Sequence, residues 1–574
     1  MITIAFNPTT AKIVGADRAT LNEVHRLLSY SVEGSDHMAA FKSGDWNGKS
    51  SFFSHAKQTF PSGFVRMVVQ GLRKIGLTVN THSLPAPEPL GPEYPEVDEF
   101  GYSERYDYQP AAVETLVRHK NITVQVATGG GKSRIARMAM KRINRPTLFL
   151  TTRGILMYQM HEAVEKMEGT KCAILGDGEW GIPYKKADGS EGRKLSKFTV
   201  GMVQTLAQRL EIKTVDSEYR ALRERRAADV SRKLEAERKK LPKTLPIIER
   251  GEKLLKIAAE LEAKQPPEKE DKAATIAKVE KHERLRLATM EILAKFELVI
   301  VEEAHEVSSD GFYTVMAACR NAHYRMALTG TPFMKDDEEA NMRLLASCGP
   351  VAVKITEKML IDRGILAKPY FKYVELPEAH KPKALYRSTP WQKAYEVGIT
   401  GNEYRNKMIV AEAMRAARYG MNSMVLVQHK AHGELLRKMM VERGGLRAEF
   451  IYGEDNQKER KHALQALGSG GIDVLIGSTI LDVGVDVPSV GMIILAGGGK
   501  AEVATRQRIG RGLREKKTGP NAAFIVDFAD SSNNHLQSHY LQRRNIVKST
   551  PGFVENIVQD FDFSALGFSK EVSK

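Results

Sequence analysis

The chain has 574 residues, which at roughly 150 residues per domain suggests about four domains and excludes a single compact one. Lys and Arg number 86 against 70 Asp and Glu, a formal charge of +16 that points to a polyanionic partner, nucleic acid first and anionic membrane second. A composition of 42% hydrophobic and 27% charged residues excludes wholesale disorder, and three scattered cysteines, Cys172, Cys319 and Cys348, exclude a disulfide scaffold and a cysteine zinc site. No stretch approaches the roughly 18 apolar residues of a membrane-spanning helix, and MITIAFNPTTAKIV has neither a basic n-region nor a long apolar core. The expectation is a soluble protein of a reducing cytoplasm.

The first stretch, 1–101, is read as a small α+β domain. It contains a polar turn around Trp46 (SGDWNGKS), an amphipathic helix from about Gly63 to Ile75, and a closing linker, SLPAPEPLGPEYPEVDEFG, too rich in proline for helix or central strand. Trp46 suits two roles, stacking on a base or anchoring this domain to its neighbour, and Lys42, Lys49, Lys57 and Arg66 favour DNA contact in either case. From 102 to 367, short β-rich runs alternate with helical stretches: NITVQVA, PTLFLTT, FTVGMVQ, FELVIVEEA and RMALTGTP. The alternation resumes over 368–530 with SMVLVQ, EFIYG, DVLIGST, GMIILAG and AAFIVDF. Two tandem α/β domains with parallel sheets are expected, followed by a tail, 531–574, that packs on a neighbour.

A segment at 211–295 interrupts the first α/β domain, with roughly 39 of its 85 residues charged. Breaks at LPKTLP and QPP divide it into three helices, two of them long enough to pair antiparallel, with Tyr219, Leu222, Ala227, Val230 and Leu234 as an apolar face. A solvated hairpin, a nucleic-acid contact and a self-association surface all remain open for this arm.

Two motifs carry chemistry. VATGGGKS follows a predicted strand and opens a helix, where a phosphate-binding loop belongs. Thr128, Gly129, Gly130 and Gly131 would let backbone N–H groups approach phosphate oxygens, Lys132 would reach the β and γ phosphates, and the Ser133 hydroxyl would serve Mg²⁺. Val126 stands where the strict pattern has its first glycine. In FELVIVEEAHEVSS a buried strand delivers Glu302 and Glu303 at its C-terminal end, one carboxylate for Mg²⁺ and the other to polarise an attacking water. QRIGRGLR places Arg508, Arg511 and Arg514 near one helical face.

Together with LTGTP these motifs resemble the superfamily 2 helicases and translocases, over about 105–530 without the arm. The resemblance implies two RecA-like P-loop domains that clamp ATP and Mg²⁺. It implies an adenine contact at Gln109 (YDYQ), a Mg²⁺ site at Ser133 and Glu302, and a base at Glu303. Arginine fingers would stand at Arg511 and Arg514, Gln507 would orient the water or γ-phosphate, and His305, Thr329 and Thr331 would couple ATP state to movement. Thr152, Arg153, Gln204, Thr205 and, from the second domain, Thr479 would hold a strand by its phosphates, with Asp486 near the ribose and Gly484 allowing a tight backbone. The family usually has Asp where Glu302 stands, so the longer acid must shift to serve the same ion.

The N-terminal stretch resembles that of a phage recombination helicase. The reading is an ATP-dependent DNA helicase, monomeric, acting on branched or single-stranded DNA or an RNA–DNA hybrid in recombination, repair and replication, in the host cytoplasm and without a membrane. The alternatives are a motor subunit of a restriction or repair complex and an ATP-switched nucleic-acid binding protein with little turnover.

Overall fold

The computed structural model describes residues 2–186, 188–242, 246–263, 268–304, 310–333, 337–452, 457–477, 490–499, 509–510, 512–516 and 519–570. The N-terminal unit is a four-stranded sheet of β1 (Ile2–Phe6), β2 (Thr10–Val14), β3 (Thr59–Pro61) and β4 (Val79–Ser83) in the order β3-β2-β1-β4. Helices α1 (Arg18–Leu27) and α2 (Val65–Lys74) cover it. Helix α2 buries Val65, Val68, Val69 and Leu72, the i, i+3, i+4, i+7 face that its sequence spells.

The first α/β unit is an eight-stranded sheet. Its strands are β5 (Asn121–Val126), β6 (Thr147–Thr151), β7 (Ala173–Gly176), β8 (Glu179–Trp180), β9 (Phe198–Met202), β10 (Leu298–Glu302), β11 (Tyr324–Thr329) and β12 (Val351–Ile355). They lie in the order β8-β7-β9-β6-β10-β11-β5-β12, parallel except for the edge strand β8. Because successive side chains point to opposite faces, Leu298 and Ile300 of β10 enter one core while Val299 and Val301 enter the other. A strand apolar on both faces must be covered on both, and α3 (Tyr108–His119), α4 (Lys132–Ile143), α5 (Gly154–Glu168), α6 (Val203–Leu210) and other crossover helices do this.

The arm leaves this unit between α6 and β10 as α7 (Val215–Lys240), α8 (Ile247–Ala263) and α9 (Glu268–Leu293). Arg226 clamps Asp271 in a two-pronged pair and Lys278 reaches Glu218 at 2.8 Å, so α7 and α9 run antiparallel. The expected apolar face is not a core: α7 buries no residue, Ala227 is exposed, and Tyr219, Leu222, Val230 and Leu234 are half-buried. Three helices alone cannot enclose these side chains, and charged pairs carry the packing instead.

Among the described residues the second α/β unit has seven parallel strands: β13 (Lys368–Glu375), β14 (Ser423–Leu426), β15 (Ala448–Ile451), β16 (Val474–Gly477), β17 (Met492–Ile494), β18 (Ala522–Ala529) and β19 (Ile557–Val558), in the order β15-β16-β14-β17-β18-β13-β19. Helix α10 (Glu338–Cys348) closes the first unit, while α11 (Glu403–Ala417) and α12 (Lys430–Glu442) belong to the second. The tail supplies α13 (Asn534–Lys548), the edge strand β19, and Phe561 and Phe563, which enter the second core. Two parallel α/β sheets, a small α+β unit and a helical insertion make up the fold.

The proline-rich linker is seated on the first α/β unit. Leu90 and Gly91 N–H groups donate to the Ile143 and Arg142 carbonyls, Val97 is buried, and Asp98 pairs with Arg134 (3.0 Å) and Arg137 (3.2 Å). The N-terminal unit is docked as well. Its core includes Met342 and Ala346 of α10, and Tyr30 Oη and the Ser31 N–H donate to Glu339 and Glu338. At Gly63 a Cβ would lie 2.1 Å from the Leu345 carbonyl oxygen, so the two backbones meet where no side chain fits.

Candidate active site

Adjacent parallel strands bring the motifs together. Strand β11 lies between β5 and β10, with Thr329 opposite Gln125 and Leu328 opposite Glu302. The C-terminal ends of these three strands therefore present 127–133, 329–331 and 302–303 side by side, the edge where ligands of parallel sheets bind. Gly129 and Gly131 adopt left-handed φ values of +86° and +85°, which turn the chain from β5 into α4. At Gly130 a Cβ would meet Val126 Cγ1 at 2.7 Å, so the loop's close return tolerates no side chain there.

The charged groups form two pairs. Lys132 Nζ lies 2.7 Å from Glu303 Oε1, and Ser133 Oγ donates to Glu302 Oε1 at 3.3 Å. Glu302 is 4% exposed; burial pushes its carboxyl up to about 7, the Glu303 charge adds to that, and Lys132 and Ser133 oppose it. A buried acid that is costly to ionise without a cation, beside a hydroxyl and a lysine, suits a divalent ion with phosphate oxygens. Glu303 itself sits at φ +51°, an uncommon conformation for a residue with a side chain, directly after the strand.

Around the loop, Gln109 is 2% exposed and turns toward it, its Nε2 donating to the Gly130 carbonyl at 3.4 Å while its Oε1 accepts from Arg134 at 2.6 Å. Tyr108 Oη also donates to the Gly130 carbonyl, at 3.1 Å. Burial pushes the Tyr108 phenol up to about 12. Thr329 Oγ1 accepts from the Thr331 N–H at 3.2 Å, and Gln125 Nε2 donates to the Gly330 carbonyl, tying the 329–331 turn to β5. Sequence reasoning did not single out Tyr108, Arg134 and Asp98, which brace the loop from outside. The only signal for the first is its place beside Gln109, and for the other two there is none.

The second α/β unit closes on this edge. A Cβ on Gly510 would lie 2.5 Å from Thr128 Cβ, Leu366 bridges to Arg514, and Arg105 pairs with Glu515 at 3.0 Å. Arg514 is exposed. His305, Thr479, Gly484, Asp486, Gln507, Arg508 and Arg511 lie outside the described residues.

Farther along the same edge, β9 and β6 pair with Met202 opposite Thr151. This juxtaposes the 152–153 and 203–205 turns: Gln204 Nε2 donates to the Thr152 carbonyl at 2.8 Å, Thr205 follows on α6, and Arg153 caps α5, its N–H donating to Thr151 Oγ1. Trp46 belongs to the N-terminal unit, between the short strands Ser29–Ser31 and Lys49–Ser51. It is half-buried, with Nε1 donating to the Lys49 carbonyl at 2.7 Å, so its own hairpin holds the ring.

Residues 103–241 match the type III restriction enzyme res subunit family, and residues 406–516 match the helicase conserved C-terminal domain. A helicase-named protein of Sulfolobus islandicus filamentous virus is 25% identical over 285 residues, covering 48% of this chain and 48% of its own. The ATP-dependent DNA helicase uvsW of Enterobacteria phage T4 is 21% identical over 244 residues, 42% of this chain and 47% of its own. The DNA 3'-5' translocase XPB2 of Sulfurisphaera tokodaii is 26% identical over 260 residues, 39% and 56% respectively. The chain spans about half the length of the curated relatives it matches. A res-subunit match and a helicase C-terminal match thus follow one another along the chain, one within each α/β unit, in the order that the resemblance to the superfamily 2 helicases implies.

Proposed function

We propose that the chain is an ATP-dependent DNA helicase or translocase that remodels branched DNA or R-loops, moving 3′ to 5′. The observation that carries this reading is the meeting, on one sheet edge, of the Lys132–Glu303 and Ser133–Glu302 pairs with Gly510 of the second unit packed on Thr128. When bound, ATP supplies the phosphoanhydride, and Mg²⁺ screens the charge of its oxygens. Lys132 and the N–H groups of 129–133 would hold the phosphates, Ser133 and Glu302 the metal, and Gln109 would line the base side of the loop. Glu303, released from Lys132 when the lysine turns to phosphate, would accept the proton of the attacking water. Arg511 and Arg514, with Gln507, would meet the γ-phosphate only with the two units closed, making turnover conditional on their approach. Asp486 would contact the ribose, and His305, Thr329 and Thr331 would pass the closure to the strand track of Thr152, Arg153, Gln204, Thr205 and Thr479.

DNA as the partner is supported by the printed names of the uvsW and XPB2 relatives and by the +16 charge. The test is DNA-stimulated phosphate release by the parent chain and by Lys132→Ala and Glu303→Gln. The parent should turn over and both variants should lose at least about 10²-fold. Equal, negligible release from all three would leave an ATP-switched binding protein. For substrate, unwinding is compared on forked DNA, Holliday junctions, R-loops and duplex RNA, and a preference for duplex RNA would overturn the branched-DNA reading.

A further inference from the structure

Between the N-terminal unit and the first α/β unit lies a crevice of about 300 Å³ whose walls carry Arg66, Arg118, His119, Lys120 and His323. Three separate parts of the chain converge there. Arg66 comes from α2, residues 118–120 from the end of α3, and His323 from the turn before β11. Arg118 and His119 have an ordinary reason to be present, since cations suit the carbonyl end of α3. Arg66 does not belong to that helix. It is half-buried, its Nη2 is shielded from solvent with no hydrogen-bond partner among the described residues, and burial holds its guanidinium below the usual range. A buried unpaired donor on a cation is unfavourable unless something fills the site.

The surrounding charges do not supply that partner. Lys120 lies over the Tyr324 ring and donates to its hydroxyl at 3.3 Å, and among the described residues the exposed Glu88 is its opposing charge. His323 faces Glu297, which is already paired with Arg145 at 3.3 Å. Burial and the charges of Arg66 and Arg118 together hold His119 below the usual imidazole range. Among the described residues the crevice thus gathers two guanidinium groups, one ammonium and two imidazoles against one exposed carboxylate and one shared one.

We infer that this crevice is a phosphate-group binding site, built by Arg66 across the domain junction from Arg118 and Lys120, that takes either a backbone phosphate of a nucleic-acid strand or a free phosphate anion. Arg and Lys in a recessed, partly desolvated setting recognise phosphate through charge-assisted hydrogen bonds. The site is separate from the nucleotide loop. Asn121 lines the crevice at the start of β5, while the loop follows Val126 at its other end, roughly 16 Å away at about 3.3 Å per residue. Occupancy would add a tie between the N-terminal unit and the motor, independent of ATP turnover.

The test uses the full chain with Lys132→Ala, so that the nucleotide loop does not contribute and failure of the proposed ATPase activity leaves the result readable. Pyrophosphate is titrated against the thermal midpoint, and duplex DNA binding is measured over a salt series. Adding Arg66→Met, or separately the exposed Arg118→Ala in case the former misfolds, should weaken the pyrophosphate-induced stabilisation by about tenfold or more in ligand concentration. If the physiological ligand is a strand phosphate, either change should also reduce the salt slope of DNA binding by about one. A pyrophosphate effect without a slope change assigns the site to a free anion. Neither effect in either variant overturns the inference.

Discussion

Replacing Asp527 by Ala removes the two-pronged carboxylate partner of the buried Arg543 guanidinium. Arg543 of α13 forms two hydrogen bonds of 2.9 Å to the Asp527 carboxylate on β18 and donates a third to the Gly499 carbonyl. Arg405 of α11 is paired with Asp530 at 3.1 Å and donates to the Ala496 carbonyl at 2.7 Å. All four charged residues are at most 4% exposed, and together they strap the tail helix and α11 to the segment that follows β17. Breaking one member of a buried pair costs about 3–5 kcal/mol because the other charge stays desolvated. Asp530 Oδ2 lies 3.9 Å from Arg543 Nη2 and compensates in part, which places the expected loss near the lower end, about 3 kcal/mol. At about 2–4 °C per kcal/mol for a unit of this size, the second α/β unit should melt about 6–12 °C lower. Trp391 reports this unit alone once Trp46 and Trp180 are changed to Phe, because the chain has three tryptophans and Trp391 packs edge-on to His539 of α13. Urea unfolding by Trp391 fluorescence is compared for Asp527→Ala, Arg543→Met and the Asp527→Leu/Arg543→Met double. The double should recover most of the single-site loss, since an apolar pair leaves no charge stranded. A loss below about 1 kcal/mol for Asp527→Ala, the range of exposed pairs, would refute the claim that this network is closed to water.

Gly63→Ala should undock the N-terminal unit, because the new methyl meets the Leu345 and Ala346 carbonyl oxygens at 2.1 and 2.5 Å; the expected cost is about 1–3 kcal/mol, read as faster proteolytic cutting in the 84–96 linker, and an unchanged cutting rate would contradict the docking. His432 is held down to about 3, first by burial and then by the Arg405 charge, while its Nε2 meets Asn406 Oδ1 at 2.9 Å. The unfolded chain therefore binds the extra proton between about pH 3 and 6.5, so this contribution to stability is complete above 6.5 and declines as the pH falls toward 3; His432→Gln should flatten that slope in acid-unfolding curves. Deleting 215–281 and joining the ends with a short Gly-Ser link should leave the sheet transitions within about 0.5 kcal/mol, since α7 buries nothing and His282 already meets the Glu211 carbonyl at 2.8 Å. The same variant measures the arm's share of DNA binding, where unchanged affinity and salt slope would assign it no contact.

The sequence by itself determined the parallel sheets, because a strand buried on both faces must be apolar at every position, and Leu298–Val301 and Phe524–Val526 show that in their letters. It also located the glycine-lysine turn of 128–133 and the adjacent Glu302 and Glu303 at the ends of strands, since the apolar runs that precede both are legible in the letters. It did not determine that Lys132 would pair with Glu303 and Ser133 with Glu302, which follows from the order of β5, β11 and β10 in the sheet. The arm's apolar periodicity was legible while its lack of a core was not, because periodicity marks a face without saying whether anything covers it. Only the tertiary structure decided that the proline linker is seated on the first α/β unit, that Gly63 lies against the α10 backbone, and that Arg66 faces Lys120 and His323 across a crevice. Those contacts join residues up to several hundred positions apart. Local pattern encodes which face of an element is apolar, whereas partner choice is set by how whole units pack.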